Sequence, residues 1–383
     1  MNISRREILG CSGGLVVGAA GGGLAARAAL GASTDVQRTA AVHPQNSYSS
    51  NPIRLVYNEN PFGPPESAKK AIRDQIDLGW QYGYSGVMDL RQRIAELEGL
   101  DPRHVIITEG SGELLKIAGL VFGAGSHVVA PVPSFPMLVD YAVKNGARPD
   151  FVPLNNTMDI DLSAISDNVT DKTGVVYLCN PNNPTGKILD GQALRTFLLA
   201  VSERVPVLVD EAYIDLVDDP VQTSVVDVVR SGANIIVSRT FSKVYGMAGL
   251  RIGYGLGRPD VIRRLEQRRV SIPNRLGVYA ALGCLNDTAF LESSRSALRA
   301  EARNLHSFFD RLNVPYIPTQ ANFVMFDTGG PVGKFLSYMR SRGMLVAPVS
   351  ELEEYASWAR VSVGLPDHMA RFADSAEEYF KRS

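Results

Sequence analysis

The chain has 383 residues, enough for a sizeable core spread over two domains, with 45% hydrophobic and 21% charged residues. A formal net charge of −1 gives no general attraction to nucleic acid or to an anionic membrane. Three cysteines (Cys11, Cys179 and Cys284) do not make a disulfide framework, and five scattered histidines lack metal-ligand spacing.

Residues 1–32 stand apart from the rest. Ser4-Arg5-Arg6-Glu7-Ile8-Leu9 carries paired arginines, and an uncharged Gly/Ala/Val/Leu stretch follows from Gly10 to Ala26. Small residues around Ala26-Arg27-Ala28 and Leu30-Gly31-Ala32 offer cleavage sites. This is the layout of a twin-arginine (Tat) export signal, which implies the Tat machinery as a partner and a periplasmic or extracytoplasmic destination. The apolar segment is short and glycine-rich for a membrane span. Cys11 precedes the apolar region instead of closing it, so it does not form a lipidation box. The glycines at 18 to 23 have no strand before them, so they do not read as a dinucleotide loop. Ser33–Pro52 is polar and reads as a linker or N-terminal arm.

Ile53–Val56 reads as a strand that enters Asn58-Glu59-Asn60-Pro61-Phe62-Gly63, with helical spacing over Glu66–Ile76 behind it. Trp80–Gly86 precedes an amphipathic helix, Met88–Leu97. The strand Val105–Thr108 leads through Gly110-Ser111-Gly112 into a helix, Glu113–Phe122, and Val128–Pro131 leads to Pro133-Ser134-Phe135. Strands at Val175–Leu178, Val207–Val209 and Ile235–Val237 each run into a polar motif. Motifs at the ends of successive strands converge on one edge of a mostly parallel sheet, so the class is α/β. After Arg258 the pattern turns helical, with a long charged amphipathic segment over Ser293–Leu312. Strands at Ala321–Phe326, Leu345–Pro348 and Ala359–Val363, with helices at Val332–Arg342 and His368–Lys381, read as a smaller α+β domain. The expected division is residues 53–80 as the first part of the small domain, 81–285 as the large domain and 286–383 as the rest of the small one.

The chemistry concentrates in Ser238–Gly255, SRTFSKVYGMAGLRIGYG. Lys243 follows a buried strand, among the hydroxyls of Ser238, Thr240 and Ser242 and the cations of Arg239 and Arg251. Neighbouring cations disfavour a protonated amine and leave it more nucleophilic. Hydroxyls, backbone N–H groups and a guanidinium suit a phosphate dianion. A nucleophilic lysine beside a phosphate cradle is what pyridoxal phosphate requires. Most lysines in mixed loops are solvated surface residues, so the weight comes from two further motifs: CNPNNPTG over Cys179–Gly186 and PVLVDEAYID over Pro206–Asp215.

The order NPNNPTG, VDEAY, RTFSKVYGMAGLRIGY resembles the fold-type I aminotransferases, most closely the histidinol-phosphate aminotransferase group. Asn58–Gly63, Gly110–Leu114 and Asn322-Phe323-Val324 extend the resemblance from about residue 52 to the end. It implies pyridoxal 5'-phosphate as cofactor, an amino acid and a keto acid as substrates, and a homodimer. By the same resemblance Lys243 bonds the cofactor and moves the α-proton, Asp210 keeps the ring nitrogen protonated, and Tyr213 and Asn183 hydrogen-bond the phenolic oxygen. Ser111, Gly112, Thr240, Ser242 and Arg251 take the phosphate, and Phe135 stacks on the ring. Arg360 binds the substrate carboxylate, with Asn60 and Asn322 bordering that pocket. Tyr82 matches a tyrosine that reaches the partner's cofactor phosphate. Gly83 and Tyr84 replace the proline and aspartate that follow it in the family, which makes Tyr84 the alternative. Decarboxylases and amino-acid oxidases share these residues, and an exported protein that binds the cofactor without turnover is the reading from another class. A leader is at odds with histidine synthesis, a cytoplasmic task.

Overall fold

The computed structural model describes residues 52–349 and 352–382. The leader and nearly all of the linker (residues 1–51) lie outside the described residues. Twelve strands are found within them: β1 (Ile53–Leu55), β2 (Val105–Thr108), β3 (His127–Val132), β4 (Arg148–Pro153), β5 (Thr173–Cys179), β6 (Val207–Asp210), β7 (Ile235–Thr240), β8 (Gly253–Gly257), β9 (Tyr316–Ile317), β10 (Phe323–Asp327), β11 (Met344–Pro348) and β12 (Trp358–Ser362).

Seven of these form one sheet in the order β2-β8-β7-β6-β5-β3-β4. All run parallel except β8, which is antiparallel to both β2 and β7. The central strands are continuous apolar runs because helices cover both faces of the sheet. In β6, Val207 and Val209 enter one core cluster and Leu208 enters the other, and all three are fully buried.

β8 and β4 were not expected from the sequence. β8 reads Gly-Tyr-Gly-Leu-Gly, and glycine is a poor strand former. Its glycines are there for space. A Cβ on Gly253 would lie 2.6 Å from the Ser111 nitrogen, and one on Gly255 would lie 2.6 Å from a Leu114 methyl. The helix Ser111–Ala118 therefore lies directly on this strand. β4 carries two prolines and a charge at each of two exposed or half-exposed positions, a composition tolerated because it is the edge strand. A helix at Gly191–Val201 was also missed, although Asp190 caps it by accepting from the Ala193 N–H at 2.8 Å.

The second sheet has the order β1-β11-β12-β10-β9, with β1 parallel to β11 and the other pairs antiparallel. It joins the first described strand to the last ones. Its core is aromatic: Phe309 stacks on Phe326 at 4.6 Å, and Phe335 meets Phe326 edge-on at 5.4 Å. The long helix covering it begins at Thr288, five residues before the expected start, where Asp287 accepts from the Phe290 N–H. The helix expected from Met88 likewise starts at Tyr84. No helix among the described residues is long and apolar enough to cross a membrane.

Candidate active site

The parallel strands deliver their carboxyl ends to one edge, and the motifs sit there. Asp210 ends β6, Thr240 ends β7 and Cys179 ends β5, while Ser111 opens the helix after β2. A cavity of about 410 Å³ at this edge is lined by Ser111, Gly112, Phe135, Asn183, Asp210, Tyr213, Thr240, Ser242, Lys243, Arg251 and Arg360. A larger groove, about 1020 Å³, runs past Asp190, Arg195 and Arg230 and holds none of the expected site residues. Size alone does not select the site; the convergence of chemistry does.

Lys243 reaches the cavity from the turn after β7. Its Nζ donates to the carbonyls of Asn58 (2.9 Å) and Tyr57 (3.3 Å) and lies 5.2 Å from the centre of the Tyr213 ring. Burial and the Arg360 cation push its amine down to about 8, with Arg251 acting the same way and Asp210 and Glu59 opposing. About a tenth of it is therefore uncharged at pH 7, far more than for an ordinary lysine, and a nucleophile or base needs that form.

One end of the cavity is a cradle for an anion. Gly110 turns the chain at φ 78°, and a Cβ there would run into the Arg251 guanidinium. Arg251 is itself left-handed (φ 53°) and is pinned by donating to the carbonyls of Ala248 (2.8 Å) and Glu109 (3.2 Å). Thr240 donates to the Ser242 hydroxyl at 2.8 Å and accepts from the Ser242 N–H at 3.1 Å. These hydroxyls, the guanidinium and the first N–H groups of the helix Ser111–Ala118 form a donor set that fits a phosphate.

At the floor, Asp210 is 2% exposed, and its Oδ1 has no hydrogen-bond partner. Burial pushes the carboxyl up to about 6, and the nearby Ser238 hydroxyl, the Ala212 N–H and the Lys243 charge limit that rise. A buried carboxylate oxygen without a partner beside a cavity fits a ligand that brings its own N–H, such as a protonated pyridine nitrogen. Burial likewise raises the Tyr213 phenol, which stays protonated as a donor.

Arg360 comes from the other sheet, on β12, opposite Met325 and Ala347. It donates to the Val56 carbonyl (2.9 Å) and to Asn183 Oδ1, and its guanidinium lies over Phe323 at 5.4 Å. Its Nε is buried with no partner, a donor left for an anion entering the cavity.

Three expected residues lie elsewhere. Asn60 does not line the cavity: its Nδ2 donates to the Val244 carbonyl and to Ser294 Oγ, both at 2.7 Å, which ties the loop to the residue following Lys243. Asn322 is fully buried behind the site and donates to the carbonyls of Asn58 (3.1 Å) and Glu59 (3.3 Å). Tyr82 is 78% exposed, outside the cavity of its own chain, with its ring 6.0 Å from that of Tyr84. Conversely, Tyr57, Asn58, Glu59 and Met137 line the cavity without having been singled out. The first three belong to the loop whose Asn-Glu-Asn sequence was visible, but their partners sit far along the chain.

The chain belongs to the class I and II aminotransferase family, whose model matches residues 50–375. It is 33% identical over 336 residues to histidinol-phosphate aminotransferase 2 of Haemophilus influenzae strain 86-028NP, covering 87% of this chain and 91% of that protein. It is 34% identical over 343 residues to the histidinol-phosphate aminotransferase of Symbiobacterium thermophilum, covering 89% and 92%. Among solved structures, that of histidinol-phosphate aminotransferase from Sinorhizobium meliloti in complex with pyridoxal-5'-phosphate superposes with a TM-score of 0.79 at 27% identity, covering 86% of this chain and 91% of that one.

Proposed function

We propose that this protein is a pyridoxal phosphate-dependent aminotransferase that moves an amino group between an amino acid or related amine and a keto acid. The observation that carries it is the unpaired Asp210 Oδ1 at the floor of the cavity that also holds Lys243 and the anion cradle. Pyridoxal phosphate supplies an electron sink for the negative charge left when the amino-bearing carbon loses its proton.

The chain's own residues do the rest. Ser111, Gly112, Thr240, Ser242 and Arg251 would hold the phosphate, and Phe135 would stack on the ring. Asp210 would hold a proton on the ring nitrogen. Tyr213 and Asn183 would hydrogen-bond the phenolic oxygen. Arg360 orients the substrate by its carboxylate through the free Nε. Lys243 Nζ would anchor the cofactor covalently and, once displaced by the incoming amine, would move the proton from the α-carbon to the cofactor.

The test uses purified protein loaded with cofactor and given amino acids one at a time without oxygen. The visible absorption of the bound cofactor should be lost, and a keto acid should restore it. Release of carbon dioxide would mark a decarboxylase instead. Oxygen uptake with peroxide, in a parallel aerobic run, would mark an oxidase. Silence toward every amine would mark a binding protein.

The working form is a homodimer in which Tyr82, or Tyr84 beside it, completes the partner's phosphate site. The exposure of both rings supports this, and sedimentation of an active monomer would refute it. Export through the Tat route is supported by Ser4-Arg5-Arg6 and the uncharged stretch behind it. Replacing Arg5 and Arg6 by lysine should leave the protein uncleaved in the cytoplasm, and export of that variant would overturn the assignment.

A further inference from the structure

Asn58 is 2% exposed and left-handed, with φ 54°, a conformation that few residues other than glycine and asparagine accept readily. Every polar group it carries is used. Its N–H donates to Ser362 Oγ at 2.8 Å, and Ser362 Oγ donates to its Oδ1 at 3.0 Å. Its Nδ2 donates to the Tyr213 hydroxyl at 2.9 Å. Its carbonyl accepts from Lys243 Nζ at 2.9 Å and from Asn322 Nδ2 at 3.1 Å. One residue of the loop after β1 thus ties β12, the strand that carries Arg360, to Tyr213 through its side chain and to Lys243 through its carbonyl, the two groups that follow β6 and β7 nearest the reaction.

The direction of these bonds matters. Ser362 engages both the N–H and the Oδ1 of Asn58, and this turns the amide so that its NH₂ faces Tyr213. A phenol oxygen that accepts one hydrogen bond keeps its own proton for another, and the second bond is strengthened by the first. Tyr213 lines the cavity, and with its oxygen accepting from Asn58 its own proton is left free for a partner there.

We infer that Asn58 is a positioning residue that sets the Tyr213 proton toward the cofactor's phenolic oxygen, held in register by Ser362. The inference rests on the proposed cofactor reading. Nothing in it requires Asn58 to touch the cofactor.

The test follows the visible absorption of the cofactor-loaded protein against pH, without substrate. Tyr213→Phe removes the proton altogether and should move the midpoint upward, because the phenolic oxygen loses a donor and the charged form beside it is favoured. Asn58→Gly keeps the left-handed backbone while deleting the amide. It should move the midpoint the same way by roughly half a unit to one unit, the net worth of one hydrogen bond. Asn58→Asp, which cannot donate and draws the Tyr213 proton to itself, should move it further. Asn58→Gly added to Tyr213→Phe should change nothing more, because Asn58 acts through Tyr213.

An unmoved midpoint in Asn58→Gly, or a shift that persists in full on top of Tyr213→Phe, overturns the inference. A merely structural role would lower the melting temperature and leave the midpoint in place. If the wild-type protein shows no pH-dependent cofactor band, the cofactor reading fails first and takes this inference with it. Ser362→Ala, which frees the amide to turn, should give a smaller shift of the same sign, so the idea remains testable should an Asn58 variant misfold.

Discussion

Asp210 and Glu211 are adjacent carboxylates, both at most 2% exposed, and they have opposite fates. Glu211 points into a closed polar cluster: Val225 N–H donates to it at 2.7 Å, Arg239 at 2.9 Å and Ser224 at 3.0 Å. Arg239 is held in turn by Glu98 at 3.0 Å. Asp210 faces the cavity with one oxygen unpaired. Burial raises both carboxyl groups, so burial does not separate them. What separates them is whether the protein itself completes the hydrogen-bonding shell. A completed shell holds the fold together, and an incomplete one waits for a ligand.

The comparison can be broken by substitution, and the largest effect belongs to the open side. Lys243→Ala should reduce turnover to background and abolish the visible absorption of covalently held cofactor. Retained absorption would mean that another lysine is the anchor. Asp210→Asn should lower kcat by about a thousandfold with the cofactor still bound, the scale of losing a preorganised charge beside the reacting system. Unchanged kcat would make Asp210 a turn residue. Glu211→Ala should do the reverse: destabilise the fold by about 3 kcal/mol, because Arg239 loses a buried partner, while the folded fraction keeps its kcat. Chemical denaturation and kinetics on the same sample separate the two outcomes.

Arg360→Ala should chiefly raise KM for carboxylate substrates, by about 2–5 kcal/mol in binding if the pair is desolvated. An unchanged KM would remove it from the site.

A last effect is on stability against pH in protein stripped of cofactor. The Asp210 carboxyl rises from its ordinary 3.8 to about 6 in the fold, so the folded state holds that proton more tightly. Its stabilising contribution is therefore present below pH 4 and lost as pH rises through 6, roughly 3 kcal/mol in all. Asp210→Asn should melt higher than wild type at pH 7, and the gap should shrink by pH 4. A gap independent of pH would mean that the carboxyl is not shifted.

Much of this was legible in the sequence because the site is built where strands stop. A short apolar run followed by Asp-Glu-Ala-Tyr, by Asn-Pro-Asn-Asn-Pro or by Ser-Lys announces both the strand and its chemical end, so Asp210, Asn183 and Lys243 could be placed in advance. The same logic failed for Asn60 and Asn322. Their amides look like pocket donors, but their partners, Ser294 and the Asn58–Glu59 carbonyls, lie 234 and 263–264 residues away along the chain. Asn58 was hidden for the same reason, since Tyr213 and Ser362 lie 155 and 304 residues on. β8 was hidden because its glycines follow no hydrophobic alternation and report only what packs over them.

That glycine strand determines how the phosphate end is shaped. With no side chain at Gly253, the backbone of Gly110 and Ser111 settles directly onto the sheet, so the depth of the anion site is fixed by missing atoms instead of by a donor. A single methyl at Gly253 would act as a shim, lifting the start of the helix and opening the space between its first N–H groups and Arg251. Weak phosphate retention could then arise from a residue that touches no ligand, and a survey restricted to hydrogen-bonding side chains would look past it.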